Sequence, residues 1–114
     1  MKKLLTLAAT ALVAATATIA PAEAETFTKT CRFERQNQRT MEMPCFITFQ
    51  GKDIRVTWAD GAIDVYTQFA VRNGVGAFRD GLNNTWYAKR FLHNGDDTAL
   101  RFQHENADRD VYIF

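Results

Sequence analysis

The chain has 114 residues and carries 14 Lys and Arg against 13 Asp and Glu, a formal net charge of +1. That balance supplies no basic field for nucleic acid or anionic lipid. Serine is absent throughout, which excludes a serine nucleophile.

Met1, Lys2 and Lys3 precede an uncharged run from Leu4 to Ala22. Ala22 and Ala24 then supply small residues around a cut after Ala24, the pattern of a cleaved secretory signal peptide. A membrane anchor is the competing reading of so long an apolar run, and its Ala and Thr richness and small-residue site favour removal. Cys31 follows Thr28, Lys29 and Thr30 rather than the apolar run, so no lipoprotein signal is present. The expected product is one small domain from Glu25 to Phe114 with no membrane span, periplasmic or secreted. Taking Lys2 and Lys3 from the 14 basic residues and Glu23 from the 13 acidic ones leaves 12 of each. At 90 residues, 114 less 24, a single core is thin and a covalent restraint helps.

The two cysteines supply that restraint. Thr26 to Phe33 and Thr40 to Gln50 read as strands joined by the polar stretch Glu34 to Arg39. In an antiparallel pair opposite residue numbers sum to a constant, so Cys31 facing Cys45 centres the turn on Gln38. Phe33 is then opposite Met43, and Phe27 opposite Phe49. A cross-strand disulfide fits an oxidising compartment, where closing a loop of about 15 residues stabilises by roughly 3 kcal/mol. A redox or metal pair fits poorly, because the spacing is not Cys-x-x-Cys. Met41, Met43, Cys45, Ile47 and Phe49 share one parity and predict a core face. Pro44, on the other parity, predicts an edge or a bulge.

The clearest pattern runs from Ile54 to Phe69. Ile54, Val56 and Trp58 alternate with polar residues, Asp60-Gly61 follows, and Ile63, Val65 and Phe69 alternate in turn. This predicts a hairpin with those six residues inward. Weaker runs follow at Val75–Arg79, Trp86–Phe91, Thr98–His104 with Leu100 and Phe102 inward, and Val111–Phe114. Gly, Asn and Asp separate them at Asn73–Gly76, Asp80-Gly81, Asn94–Asp97 and Glu105–Asp108. No helical stripe occurs beyond the leader. The fold class is therefore all-β: a small antiparallel meander of up to eight short strands, closed into a barrel or a two-sheet sandwich. An outer-membrane barrel is rejected on length, since spanning strands need about 9–11 residues and these runs average nearer six.

Chemistry-bearing groups are sparse. Bridged cysteines leave no thiol nucleophile. His93 and His104 flank the turn at Asn94–Asp97 and can be drawn facing each other, with Asp96, Asp97, Glu105 and Asp108 nearby. The spacing matches neither a zinc motif nor a calcium loop, and a solvated turn is preferred. Asp60, Asp64 and Asp80 offer paired carboxylates, but Asp60 and Asp80 precede Gly in turns. No catalytic residue, metal site or cofactor is assigned. Trp86 and Tyr87 are adjacent in a strand and must point to opposite faces, so one of them is available as a platform for a sugar ring or a protein. Arg35 and Arg39, in the polar loop anchored by the disulfide, are the other candidate binding residues.

In size, export and strand content the chain resembles the small exported lysozyme inhibitors, single β-barrel domains with a signal peptide and a disulfide. The Ser-Gly-x-x-Tyr loop of that family is missing, the nearest stretch being Gly61 to Tyr66 without the Ser, and no Cys lies near the C-terminus. No residue role is carried across. The expected function is a non-enzymatic binding or inhibitory module for a protein or glycan of the cell envelope. A structural envelope protein without a small ligand is the alternative, and a carboxylate-based hydrolase stands behind both.

Overall fold

The computed structural model describes residues 24–114, so the expected signal peptide, but for Ala24, lies outside the described residues. Turn-forming Gly, Asn and Asp divide the chain into β1 (Glu25–Arg35), β2 (Met41–Gln50), β3 (Asp53–Trp58), β4 (Ile63–Arg72), β5 (Val75–Arg79), β6 (Thr85–His93), β7 (Asp96–His104) and β8 (Arg109–Ile113). Each strand pairs antiparallel with the next, and β8 pairs with β1, so the meander closes as a barrel rather than a sandwich. Closure removes the free edges that an open sheet of this size would expose.

The disulfide forms between Cys31 and Cys45, with Cα atoms 5.8 Å apart, yet the two cysteines are not directly opposite. Cys31 faces Met43 and Lys29 faces Cys45; Phe33 faces Met41 and Phe27 faces Ile47. The register is two residues away from the expected one. Asn37 takes φ 64°, the left-handed conformation that Asn tolerates better than most residues, and the turn centres there instead of on Gln38. Moving the centre by one residue slips the pairing by two, which keeps every side chain on its face. The bridge therefore spans a diagonal, and the Phe27 ring still meets Phe49 edge-on at 5.8 Å. Pro44 causes no bulge: β2 pairs with β3 only from Cys45 onward. Of the expected β2 face, Cys45 and Ile47 are buried, whereas Met41 and Phe49 at the strand ends are exposed.

In the β3–β4 hairpin the faces of β4 are the reverse of those expected. The loop has three residues, Ala59 to Gly61. The Trp58 N–H donates to the Ala62 carbonyl at 2.8 Å, the Gly61 N–H donates to the Trp58 carbonyl at 2.9 Å, and Gly61 sits at φ 95°. This is the hairpin that ends in a left-handed Gly rather than the two-residue form. The odd count turns β4 over, pairing Ile54 with Tyr66 and Val56 with Asp64. Tyr66 enters the core, while Ile63 and Phe69 are exposed. Trp58 on β3 is buried as expected.

Rings fill the barrel. Tyr66 stacks on Phe102 at 4.6 Å and meets Trp86 edge-on at 5.7 Å, and Phe78 meets Phe102 at 5.3 Å. Ile47, Val56, Val111 and Ile113 complete the interior. The outer wall carries Arg32, Glu42, Arg55, Lys89 and Arg101 interspersed with exposed Phe46, Ile63 and Tyr87. Five strands reach nine to eleven residues, so the expected average near six is an underestimate and length does not exclude a spanning barrel. The distribution of side chains bears on it more directly, because spanning barrels place their apolar band outside and their polar residues within. Among the described residues no helix is long and apolar enough to cross a membrane.

Candidate functional site

Two loops meet at one end of the barrel, because β8 closes against β1. The β1–β8 ladder ends with Arg35 opposite Arg109, and the Gln36 N–H then donates to the Asp108 carbonyl at 2.9 Å. That bond ties the β1–β2 loop to the β7–β8 loop. Each loop also holds itself: the Gln38 N–H donates to the Arg35 carbonyl at 3.0 Å, and the Ala107 N–H to the His104 carbonyl at 2.7 Å. The buried His104 accepts the Asn106 N–H at Nδ1, 3.1 Å away, anchoring the second loop to the core. Between the loops lies a groove of about 340 Å³, its walls including Glu34, Arg35 and Thr40 on one side and Asp108, Arg109 and Asp110 on the other.

The carboxylates of the groove are all engaged. Asp110 pairs with Arg101 at 3.1 Å, Glu34 lies 3.6 Å from Arg32, and Asp108 meets Arg109 through two contacts of 3.1 and 3.3 Å. The Arg109 hydrogen bonds hold the Asp108 carboxyl below the usual carboxylate range. Arg35 is exposed and forms no ion pair among the described residues. Arg39 is exposed on the same loop but does not wall the groove.

Trp86 and Tyr87 do take opposite faces. Trp86 is 5% exposed, donates its indole N–H to Asp80 at 2.9 Å and stands edge-on to His104 at 5.0 Å. It presents no ring face to solvent. Tyr87 is 47% exposed on the outer wall, opposite Gln103 of β7. The four residues singled out from sequence thus fall in three places: Arg35 and Arg39 on the tied loops, Tyr87 on the wall, and Trp86 in the core.

The carboxylates considered for hydrolysis have other duties. Asp64 accepts the Trp58 indole N–H and Asp80 the Trp86 indole N–H, each at 2.9 Å, while Asp60 caps the Ala62 N–H in its turn. Burial first, then the nearby charges of Asp64 and Asp80, push the Tyr66 phenol far above its ordinary value, so it stays protonated. The two histidines do not face each other: His93 pairs with Asp96, whereas His104 pairs with Trp86 several rungs away. Among the described residues no group of three His, Cys, Asp or Glu is arranged to hold a metal.

Sequence singled out Asp108 only as a carboxylate near the histidines and missed Arg109, because Asp108, Arg109 and Asp110 read as the charged end of a turn. Only the pairing of the last strand with the first sets them beside Arg35. The chain matches no known family, curated protein or solved structure.

Proposed function

We propose that this domain is exported and acts as a non-enzymatic binding or inhibitory module for a protein or glycan of the cell envelope, engaging it through the loops around Arg35 and Arg39. The observation that carries this reading is the groove between two loops tied by the Gln36–Asp108 hydrogen bond, with an unpaired arginine beside it. A loop already held in place loses little freedom on binding, and the planar, multi-donor head of Arg is favoured at interfaces. An interior filled with rings leaves the exterior as the recognition surface. The disulfide is consistent with an oxidising compartment, and charged side chains set among the exposed rings of the outer wall favour a domain in water over one in lipid. Engagement of Asp64 and Asp80 by indoles argues against a carboxylate hydrolase.

The test is capture from envelope extracts with tagged residues 25–114, alongside the Arg35→Ala/Arg39→Ala double variant. A discrete, stoichiometric partner or glycan, lost from the folded double variant, supports the reading. No captured species under several conditions supports a structural envelope role instead. A partner retained equally by the double variant moves recognition to the wall around Tyr87.

A further inference from the structure

We infer that the groove is a carboxylate-binding site and that the group it takes is an Asp or Glu side chain on a partner protein. This inference rests on the binding-module reading and names the chemistry that the module recognises. Two like-charged rungs follow one another at the end of the β1–β8 ladder, Glu34 opposite Asp110 and Arg35 opposite Arg109. Directly opposite residues of an antiparallel pair have Cα atoms roughly 4.5–5.5 Å apart, and like charges there are destabilising. The acidic rung is compensated by Arg101 beside Asp110 at 3.1 Å and by Arg32, which lies 3.6 Å from Glu34 and is shared with Glu42 at 3.0 Å. The basic rung is compensated once, by Asp108. Asp108 occupies Nε and Nη2 of Arg109; among the described residues Nη1 of Arg109 and the whole fork of Arg35 have no partner. The free fork of Arg35, with Arg109 opposite it on β8 and both lining the groove, is the place where a further anion is received.

The surroundings narrow the class of anion. Glu34, Asp108 and Asp110 share the groove and repel a dianion more than a monoanion, so a carboxylate is favoured over phosphate. A carboxylate also matches the guanidinium fork in two parallel hydrogen bonds. No aromatic ring lines the groove, so a sugar ring finds nothing to stack on, and Thr40 and Gln36 offer hydrogen bonds suited to a peptide. The volume of about 340 Å³ is at the small end of binding sites and has room for an acidic side chain together with its flanking backbone.

The test titrates residues 25–114 with blocked tetraglutamate, blocked tetraglutamine, tetragalacturonate and inorganic phosphate, following the arginine Nε–H signals by NMR. Tetraglutamate should shift Arg35 and Arg109 together, and tetraglutamine should not. Arg35→Gln should weaken tetraglutamate at least about tenfold, a loss of roughly 1.4 kcal/mol, while Arg55→Gln on the outer wall stays within about twofold. Asp108→Asn, which unmasks Arg109, should tighten binding, an increase that a merely structural role would not produce. Near-UV circular dichroism checks that each variant is folded. Unshifted Arg35 and Arg109 signals, or an Arg35→Gln protein that binds like its parent, overturn the inference. Tighter binding of tetragalacturonate overturns the assignment to a protein side chain, and tighter binding of phosphate overturns the assignment to a carboxylate. Should envelope capture survive Arg35→Gln while tetraglutamate fails, the carboxylate inference falls and the binding-module reading stands. Tetraglutamate binding without any envelope partner separates the two the other way.

Discussion

Asp80→Ala removes from one carboxylate the hydrogen bonds of four donors: the Leu82 N–H at 2.9 Å, the Asn84 N–H at 2.8 Å, the Asn84 side-chain amide at 3.1 Å and the Trp86 indole at 2.9 Å. The turn donors lie near the surface, where water replaces the lost acceptor, and their net loss is about 1 kcal/mol together. The indole is 5% exposed, and orphaning a buried donor costs about 1–3 kcal/mol. The sum is about 2–4 kcal/mol, which in a domain of this size lowers Tm by roughly 10–25 °C. Asp80→Asn keeps an acceptor for the indole and should lose less than half as much. Burial pushes the Asp80 carboxyl up, but the hydrogen bonds from Trp86, Asn84 and Leu82 outweigh it and hold the group below the ordinary carboxylate value. A lowered folded-state pKa means that stability is fully present above about pH 4 and is lost as pH falls through the folded value. Asp80→Asn should flatten that acid limb. Urea denaturation of the three proteins from pH 7 to pH 2 reads both effects. An Asp80→Ala protein within about 0.5 kcal/mol of its parent, well under the cost of an orphaned donor, refutes the role given to the Trp86–Asp80 pair.

Replacing both cysteines with Ala should cost about 3 kcal/mol, from the 14-residue separation they close, read as a shift in urea midpoint. Tyr66→Ala should cost about 3–5 kcal/mol as a large core ring is lost, whereas Ile63→Asp on the outer wall should stay within roughly 0.5 kcal/mol; equal costs would mean that the three-residue turn is wrong. A Cβ at Gly76 would lie 2.7 Å from the Phe78 ring, so Gly76→Ala should destabilise by about 1–3 kcal/mol, and a neutral thermal melt would contradict that packing.

Strand content and number were legible because Gly, Asn and Asp punctuate the chain at almost every turn, and the disulfide because two cysteines have one way to pair. Loop geometry was not legible. The Asp60-Gly61 signal is the same for two-residue and three-residue hairpins, and the difference turned Tyr66 inward and Ile63 outward. The first hairpin shows the same weakness, since the choice between Asn37 and Gln38 as turn centre is decided by backbone conformation. The candidate site was half visible. Arg35 and Arg39 stood out as a polar loop, but Arg109 and Asp108 reach it only through the pairing of β8 with β1, which joins the two ends of the described chain. Periodicity reports on neighbours in sequence and is silent about such closure. The Trp58–Asp64 and Asp80–Trp86 pairs did leave a trace, an identical six-residue spacing across a turn, with nothing in it to mark which Asp an indole would reach.

Hydrogen–deuterium exchange of residues 25–114, alone and with the species captured from the envelope, reads the recognition surface without any substitution. New protection confined to residues 34–40 and 105–110 is expected if the tied loops hold the partner. Protection confined to the wall around Tyr87, with those loops exchanging as in the free protein, contradicts the proposal.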